Sequence, residues 1–198
     1  MDAVQWHNRI HLIMTANAEW VVPASHDERR YAVFNVSEKF MGNEKYFKAL
    51  HDEINNGGLA AMLHDLKAVQ LGDWHPRHIV KTQALVEQKM QSMQPLQEWW
   101  EALLQEGSIP AAPKDTPDTV MAVYLLNHAR EFSARKLGDL NPTRLGRFLA
   151  DHGCIKLHKS GGSAWRFPAL PDARRQWEKR YQGHWRWERE VSGWQARA

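Results

Sequence analysis

The residues of this sequence that are best suited to chemistry are cations, and most of them lie in the second half. Residues 1–113 contain 10 Lys and Arg against 14 Asp and Glu, whereas residues 114–198 contain 16 against 9. The formal net charge of +3 therefore hides a mildly acidic half and a strongly basic one. This asymmetry indicates that one half of the chain faces a polyanion, for which nucleic acid is the first candidate.

One group of these cations lies on a predicted helix. Asn141, followed by a proline, is a typical helix start, and Gly153 ends the helix after residues 143–152. The helical period places Arg144 and Arg147 together on the face opposite the apolar side chains. We therefore expect this helix to present both guanidinium groups to its surroundings.

A second group lies on a predicted β-hairpin. Residues 154–159 alternate, with Ile155 and Leu157 on one side and polar side chains on the other. Two glycines at residues 161–162 supply a tight turn, after which residues 164–167 return with their aromatic side chains inward. The cations of this hairpin are Lys156, Lys159 and Arg166.

Together these elements predict a winged helix, which is a helix-turn-helix variant with a β-hairpin wing. Helical segments over residues 116–132 and around residues 133–140 precede the basic helix and the hairpin. In such a domain the helix lies along a groove of DNA and the wing contacts phosphates. The alternative is a small interaction domain whose arginines are merely solvated. The predicted DNA-binding residues are Arg135, Lys136, Arg144, Arg147, Lys156, Lys159 and Arg166.

The C-terminal segment alternates arginine with aromatic residues, in RRQWEKRYQGHWRWEREVSGW. Stacking of the rings on bases, beside arginines on phosphates, is one explanation of this mixture. However, Trp177, Tyr181 and Trp185 lie four residues apart, as on a helix that packs one stripe onto its own domain. We favour core packing for these three residues.

The sequence favours no other kind of site. His7 and His11 lie four residues apart, but HNRIH lacks the glutamate of the HExxH motif, and we expect no metal site. Cys154 is the only cysteine, which excludes an intrachain disulfide and favours a cytoplasmic protein. A phosphate loop of the form G-x-x-x-x-G-K-[ST] is absent from the sequence, so a complete nucleotide site of that type is not expected in this chain.

The expected fold class is α+β and mainly helical, in two domains. Residues 10–14 and 30–37 are predicted strands, and apolar residues at helical spacing follow them as far as residue 104. Residues 108–118 contain three prolines and few large side chains, and they predict a linker between residues 1–107 and a basic domain over residues 119–198. We see neither an apolar run of about 18 residues that would span a membrane nor a secretion signal.

The first 110 residues also carry a resemblance. The segments concerned are NRIHLIMTANAEWVVPA, DERRYAVFNVS, YFKALHDEINNGGLAAMLHDL and KTQALVEQK. They resemble the C-terminal part of phage and prophage primase-helicases, which are similar to the poxvirus-type enzymes and belong to the superfamily-3 helicases of the AAA+ class. The resemblance covers most of residues 8–107 and, more loosely, the basic domain.

The resemblance implies a remnant of an AAA+ helicase core, with a sensor strand and helices, before the winged helix. In that family the strand that ends in Asn is the sensor, so Asn17 would face the γ-phosphate or the attacking water. Arg29 or Arg30 would be the arginine finger that reaches a neighbouring subunit's nucleotide, in trans with a complete site. From the residues alone, an ion pair of either arginine with Asp27 or Glu28 is the alternative.

Family members carry the phosphate loop and the Mg²⁺-binding acidic motifs upstream of the region matched here. The resemblance therefore implies ATP and Mg²⁺ as cofactors of the full-length family, but no cofactor and no ATPase activity for this chain alone. It implies DNA as a partner and homo-oligomers in the full-length family. The chain would be a helicase remnant, a truncated chain or an independently encoded fragment. The alternatives are a stand-alone DNA-binding regulator and a protein-interaction module.

Overall fold

The structure is a computed structural model, and it describes residues 12–75, 78 and 80–196. Over these residues the fold is α+β and mainly helical, as the sequence predicts. No helix within the described ranges is both long and apolar enough to cross a membrane.

Eight α-helices lie within the described ranges. A 3₁₀ turn at Glu38–Phe40 precedes them, and a kinked π-helical segment at Ile54–Gly58 joins the first two. The helices are α1 (Glu44–Glu53), α2 (Leu59–Ala68), α3 (Gln83–Gln91), α4 (Pro95–Glu106), α5 (Ala122–Phe132), α6 (Ala134–Leu137), α7 (Pro142–Asp151) and α8 (Leu170–Tyr181).

The strands form two small sheets. The short β1 (Ser108–Ile109) and β5 (Gln195–Ala196) pair in parallel. An antiparallel sheet has the order β2-β4-β3, formed by β2 (Thr119–Met121), β3 (Ile155–Lys159) and β4 (Gly162–Arg166). The predicted hairpin is therefore confirmed. Residues 119–121, predicted as helix, form a strand instead because their backbone pairs with β4.

Local sequence signals set the ends of several helices. The Thr82 hydroxyl accepts a hydrogen bond from the third N–H of α3, 3.2 Å away. The Asn141 side chain accepts one from the Arg144 N–H of α7 at 2.9 Å. Gly107 ends α4 with a left-handed φ of 64°. A Cβ at that position would lie 2.5 Å from the Val191 side chain, so the close approach requires glycine.

One hydrophobic core unites α4 with the basic half of the chain. Its buried side chains extend from Val86 on α3 through Trp99 and Trp100 on α4 to Trp165 on β4 and Trp194 near the C-terminus. The sequence assigns α4 to the first domain, but the structure packs this helix into the core that also holds the hairpin.

The segment predicted as a linker, residues 108–118, is only partly an exposed connection. Ser108 and Ile109 are buried, and their strand pairs with the C-terminal β5. Arg174 on α8 stabilises the start of this segment, since its guanidinium donates two hydrogen bonds to the Leu104 carbonyl, at 2.7 and 3.1 Å. The small side chains that suggested a linker thus allow the chain to pack closely against the core.

The aromatic residues of the C-terminal segment belong to the same core. Trp177 and Tyr181 lie on α8, whose C-cap is Gln182, and Trp185 lies beyond the helix end. All three aromatic side chains are buried. Core packing, as predicted, is therefore confirmed for them.

The two strands predicted in the first half are not formed over the described residues. Residues 12–37 contain no strand, and residues 10 and 11 lie outside the described ranges. A strand needs a neighbour to satisfy its backbone hydrogen bonds, and neither sheet includes this segment. Ile13 is 93% exposed and Val36 is 91% exposed, so their apolar character does not lead to burial.

Part of that segment, residues 19–33, lies instead along α3. The Gln88 carboxamide accepts hydrogen bonds from two backbone N–H groups of the segment and donates one to the Glu19 carbonyl at 2.6 Å. The buried Lys89 donates from Nζ to the His26 carbonyl at 2.9 Å. Side chains of the helix thus supply the hydrogen bonds that a neighbouring strand would have supplied.

The helices α1 and α2 contain no buried residue. Their apolar side chains lie exposed along both helices. These side chains are Tyr46, Phe47, Leu50, Leu59, Met62, Leu63 and Leu66.

Candidate nucleic-acid interface

The helix α7 presents the two arginines that the sequence singled out. Arg144 and Arg147 are both exposed. Within the described part of the chain, no carboxylate lies within ion-pair distance of either guanidinium. On the opposite side of α7, the apolar Leu145 and Leu149 are buried. The predicted division of this helix into a basic and an apolar face is confirmed.

The hairpin packs closely against α7 at Gly146. A Cβ at Gly146 would lie 3.3 Å from the Trp165 ring, so glycine at this position lets the indole of β4 approach the helix. The hairpin and the arginine-bearing helix are therefore fixed relative to each other.

The cations of the hairpin lie on both of its faces. Lys156 pairs with Trp165, while Ile155 pairs with Arg166 and Lys159 pairs with Gly162. Paired residues share a face of a sheet and successive residues alternate, so Lys156 lies on the core face and Arg166 and Lys159 on the other. All three cations are exposed, and Ile155 is exposed beside Arg166.

The two predicted cations of α6 differ in their partners. Lys136 forms an ion pair with Glu98 of α4, with 3.2 Å between Nζ and Oε1. Arg135 is exposed, and no ion pair of the described residues includes it. The charge of Lys136 is thus partly compensated, which weakens it as a contact for phosphate.

The structure adds a cation that the sequence reasoning missed. Arg180 of α8 lines a cleft of about 650 Å³ together with Arg144 and Arg147. Its position follows from the apolar stripe of α8, because the neighbouring Tyr181 is buried in the core and Arg180 lies at the edge of that stripe. The helical spacing of the aromatic residues was the only signal in the sequence that could have located it.

A second missed residue, His152, lies behind these cations. Its Nδ1 donates to the Phe148 carbonyl at 2.7 Å, and its Nε2 accepts from Nη1 of Arg180 at 3.0 Å. The ring stacks on Phe148, with 4.1 Å between ring centroids. Burial lowers the pKa of His152 from 6.5 to about 4, and the charge of Arg180 acts in the same direction. The histidine is therefore neutral and positions the guanidinium.

The lone cysteine has no reactive environment. Cys154 is buried between α7 and β3, and burial raises the pKa of its thiol to about 12. The thiolate, which is the nucleophilic form, is therefore strongly disfavoured.

The residues that the resemblance singled out are exposed on the first segment. Asn17, Arg29 and Arg30 all lie on the surface. The Glu28 carboxylate accepts hydrogen bonds from the backbone N–H groups of both arginines, at 2.8 and 2.7 Å. Neither guanidinium forms an ion pair with Asp27 or Glu28 in the described structure. Their assignment as sensor and arginine finger stays a prediction.

Metal ligation and known relatives supply no further assignment. His7 and His11 lie outside the described residues, and the described part of the chain contains no group of three or more metal-ligating side chains. Comparison with protein-family models, curated proteins and solved structures finds no match to this chain. The likeness to primase-helicases therefore depends on the sequence segments alone.

Proposed function

We propose that this chain binds DNA through a winged-helix domain formed by residues 95–167, as the C-terminal portion of a phage-type replicative primase-helicase. The observation that carries the proposal is the pair Arg144 and Arg147, which lies exposed on α7 and forms no ion pair with a carboxylate of the residues that the structure describes. Arginines without an internal ion pair gain the most binding free energy from contact with phosphates, because no such pair has to be broken first.

The order of the elements supports the winged-helix assignment. From α4 onward the chain runs α4, the two-residue β1, β2, α5, the four-residue α6, α7 and the hairpin of β3 and β4. Without the short β1 and α6, this is helix, strand, helix, helix and hairpin. The first strand of the sheet lies beside the last, in the order β2-β4-β3. Winged-helix domains have this order, in which the helix before the hairpin is the one that enters the groove. In this chain that helix is α7.

Salt-titrated binding of the full chain to DNA tests the proposal. The Arg144→Glu, Arg147→Glu double variant should bind DNA much more weakly, and the slope of log affinity against log salt should fall by about two, because two phosphate contacts are lost. Unchanged affinity of the double variant would overturn the placement of the contact on α7.

A matched control comes from Arg186 and Arg189, which are also exposed and also three residues apart. The Arg186→Glu, Arg189→Glu double variant changes the net charge equally but leaves α7 intact. It should retain most of the affinity and of the salt slope. Equal losses in both double variants would show that net charge alone governs binding.

The helicase part of the proposal extends to Asn17, Arg29 and Arg30. Their exposure is compatible with contact to a neighbouring subunit's nucleotide, as the resemblance implies. The gene sequence upstream of Met1 tests this part. An in-frame phosphate loop supports helicase descent, whereas an independent promoter with no such loop nearby contradicts it.

A second candidate is a stand-alone regulator whose first half contacts another copy of this chain. The apolar side chains exposed along α1 and α2 favour it, since an exposed apolar face of this kind marks interaction surfaces. Light scattering on the wild type and on the Leu63→Lys, Leu66→Lys variant tests it. An oligomer that the variant abolishes supports this candidate, and a wild-type monomer at high concentration eliminates it.

A further inference from the structure

A concave cleft lies between α7, the start of α4 and the end of α8. Its volume is about 650 Å³, which is in the range of sites that bind small molecules. Three arginines line it, Arg144 and Arg147 from α7 and Arg180 from α8. The two exposed arginines of α7 therefore belong to a site that a second helix completes, which we call the cationic cleft.

The charges that line the cationic cleft do not balance. Its three guanidinium groups share the lining with one carboxylate, that of Asp151. None of the three forms an ion pair with any carboxylate of the residues that the structure describes. The other titratable side chain of the lining, His152, is neutral. Three positive charges against one negative charge leave an excess of two positive charges in the cleft.

The arginine of α8 is held in place by neutral acceptors. Nη1 of Arg180 donates to Nε2 of His152 at 3.0 Å, and Nη2 donates to the Asp151 carbonyl at 3.4 Å. The histidine is buried, and its ring is fixed by the hydrogen bond from Nδ1 to the Phe148 carbonyl. A guanidinium has five N–H donors, so these two contacts leave others for an external acceptor. Arg180 is thus positioned without a counterion, and an anion that enters the cleft would supply one.

The starts of two helices add to the positive potential of the cationic cleft. Helices α4 and α7 have 12 and 10 residues, and a helix N-terminus carries the positive end of the helix dipole. The side chains that these two starts contribute to the lining are Gln94, Gln97, Asn141 and Thr143. The side-chain oxygens of Gln97 and Asn141 each accept a backbone N–H as part of a helix cap, at 2.8 and 2.9 Å. Their NH₂ groups are therefore the parts that can contact a ligand, and these are donors suited to an anion with several oxygens.

From these features we infer that the cationic cleft binds the terminal phosphate of a DNA strand. This inference rests on the proposed DNA binding and names the part of the DNA that the cleft selects. A phosphate monoester carries about two negative charges at neutral pH and has three acceptor oxygens, which matches the excess charge and the donors of the lining. A phosphate within a strand carries one charge and has a sugar on each side, so it matches a concave site of this charge less well.

Binding of one labelled DNA hairpin to the full chain, in three versions, tests the inference. The versions have hydroxyl groups at both ends, a phosphate at the 5′ end, or a phosphate at the 3′ end. The wild type should bind at least one phosphate-ended hairpin about ten-fold more tightly than the hydroxyl-ended hairpin. Inorganic phosphate, added at constant ionic strength, should compete and reduce this advantage. Equal affinities for all three hairpins would overturn the inference and leave the proposed DNA binding intact, and competition by inorganic phosphate in that case would assign the cleft to the free anion. If the wild type binds no hairpin, the proposed function fails together with the inference.

Single variants then locate the terminal phosphate. Arg180→Gln should bring the ratio of the two affinities, for phosphate-ended and hydroxyl-ended hairpins, close to one. Arg147→Gln, at an exposed position of the same cleft, should also lower this ratio and tests the site without changing a side chain that contacts the core histidine. Arg175→Gln is the matched control, since Arg175 is exposed on the same helix as Arg180 and does not line the cleft. It removes the same charge and should keep the wild-type ratio. A wild-type ratio in both Arg180→Gln and Arg147→Gln, or an equal fall in Arg175→Gln, would overturn the placement of the phosphate in this cleft.

Discussion

The guanidinium of Arg180 donates a hydrogen bond to Nε2 of His152, with 3.0 Å between the two nitrogens. Because Nδ1 of the same ring must donate to the Phe148 carbonyl, the imidazole has one fixed tautomer and is neutral. A second ring proton would lie on Nε2 and point at the guanidinium, and this nitrogen could then no longer accept a hydrogen bond from Arg180. Protonation of His152 should therefore break this hydrogen bond and release Arg180, a cation of the proposed DNA site, from its position.

Stability should consequently fall as His152 is protonated. Its pKa is lowered to about 4 in the folded protein from an ordinary value of 6.5, so the unfolded chain takes up the proton first. The stability that the neutral ring supplies is complete above pH 6.5 and is lost as the pH falls towards 4. The loss is on the order of 3 kcal/mol in the free energy of unfolding.

Urea denaturation of the wild type and of His152→Asn at several pH values measures this effect. The variant should be less stable than the wild type at pH 7, and the difference should shrink as the pH falls from 6.5 to 4. His184→Asn, at an exposed position, should follow the wild-type curve. A constant difference between wild type and His152→Asn at all pH values would contradict the assignment.

The hairpin cations give a second prediction. Lys156 and Arg166 lie on opposite faces of the hairpin and near the end away from its turn, so a wing whose two strands lie within a groove brings both near phosphates. Lys156→Gln and Arg166→Gln should each lower the salt slope of DNA binding by about one. Lys114→Gln, in the exposed part of residues 108–118, should leave the slope unchanged. If only one of the two hairpin variants has an effect, the hairpin lies flat on the DNA.

The features that the sequence predicts well are those that local residues determine. The cap at Asn141, the glycine at 107 and the strand signal over residues 154–159 each act within one turn or one strand, and the structure has a helix start, a helix end and a strand there. The burial of β3 does not alternate as predicted, since Ile155 is 52% exposed. The basic face of α7 follows from the helical period in the same way. The basic part of the candidate site was therefore predictable.

The features that the sequence missed depend on residues far apart in the chain. β2 has three residues and exists because it pairs with β4, and three residues are too few for an alternation that would have predicted a strand. Arg180 reaches Arg144 and Arg147 only because α8 packs against the core. Residues 30–37 show the opposite error. Their composition predicts a strand, but neither sheet pairs with them and they form none.

Arg174 gives a third prediction, on how the C-terminal segment is held. Its buried guanidinium donates to the carbonyls of Leu104 and Arg189 and lies over the Trp187 ring, 4.9 Å from the centroid. Arg174→Leu should leave both carbonyls without this donor and destabilise the protein by about 1–3 kcal/mol.

In Arg174→Leu, amide hydrogen exchange should be faster over residues 187–196 than over α4, because residues 187–196 lose the side chain that holds them. Arg175→Leu is the matched control, since Arg175 is exposed and its one ion pair among the described residues is with Asp172 of the same helix. Similar exchange in the two variants would show that the strand β5 holds the segment without Arg174.

A fourth prediction compares two tryptophans to test whether the core begins at α4. Trp99 is fully buried, and its Nε1 donates to Nδ1 of His128 at 3.0 Å, whereas Trp74 is 53% exposed. Trp99→Ala removes a large core side chain and should cost about 3–5 kcal/mol in the free energy of unfolding. Trp74→Ala should change the free energy of unfolding by less than about 0.5 kcal/mol.

Because the core that holds Trp99 also holds the hairpin, Trp99→Ala should lower DNA affinity at temperatures where Trp74→Ala leaves it intact. If the basic half remained folded and bound DNA in Trp99→Ala, α4 would be a separate unit, as the sequence alone suggests.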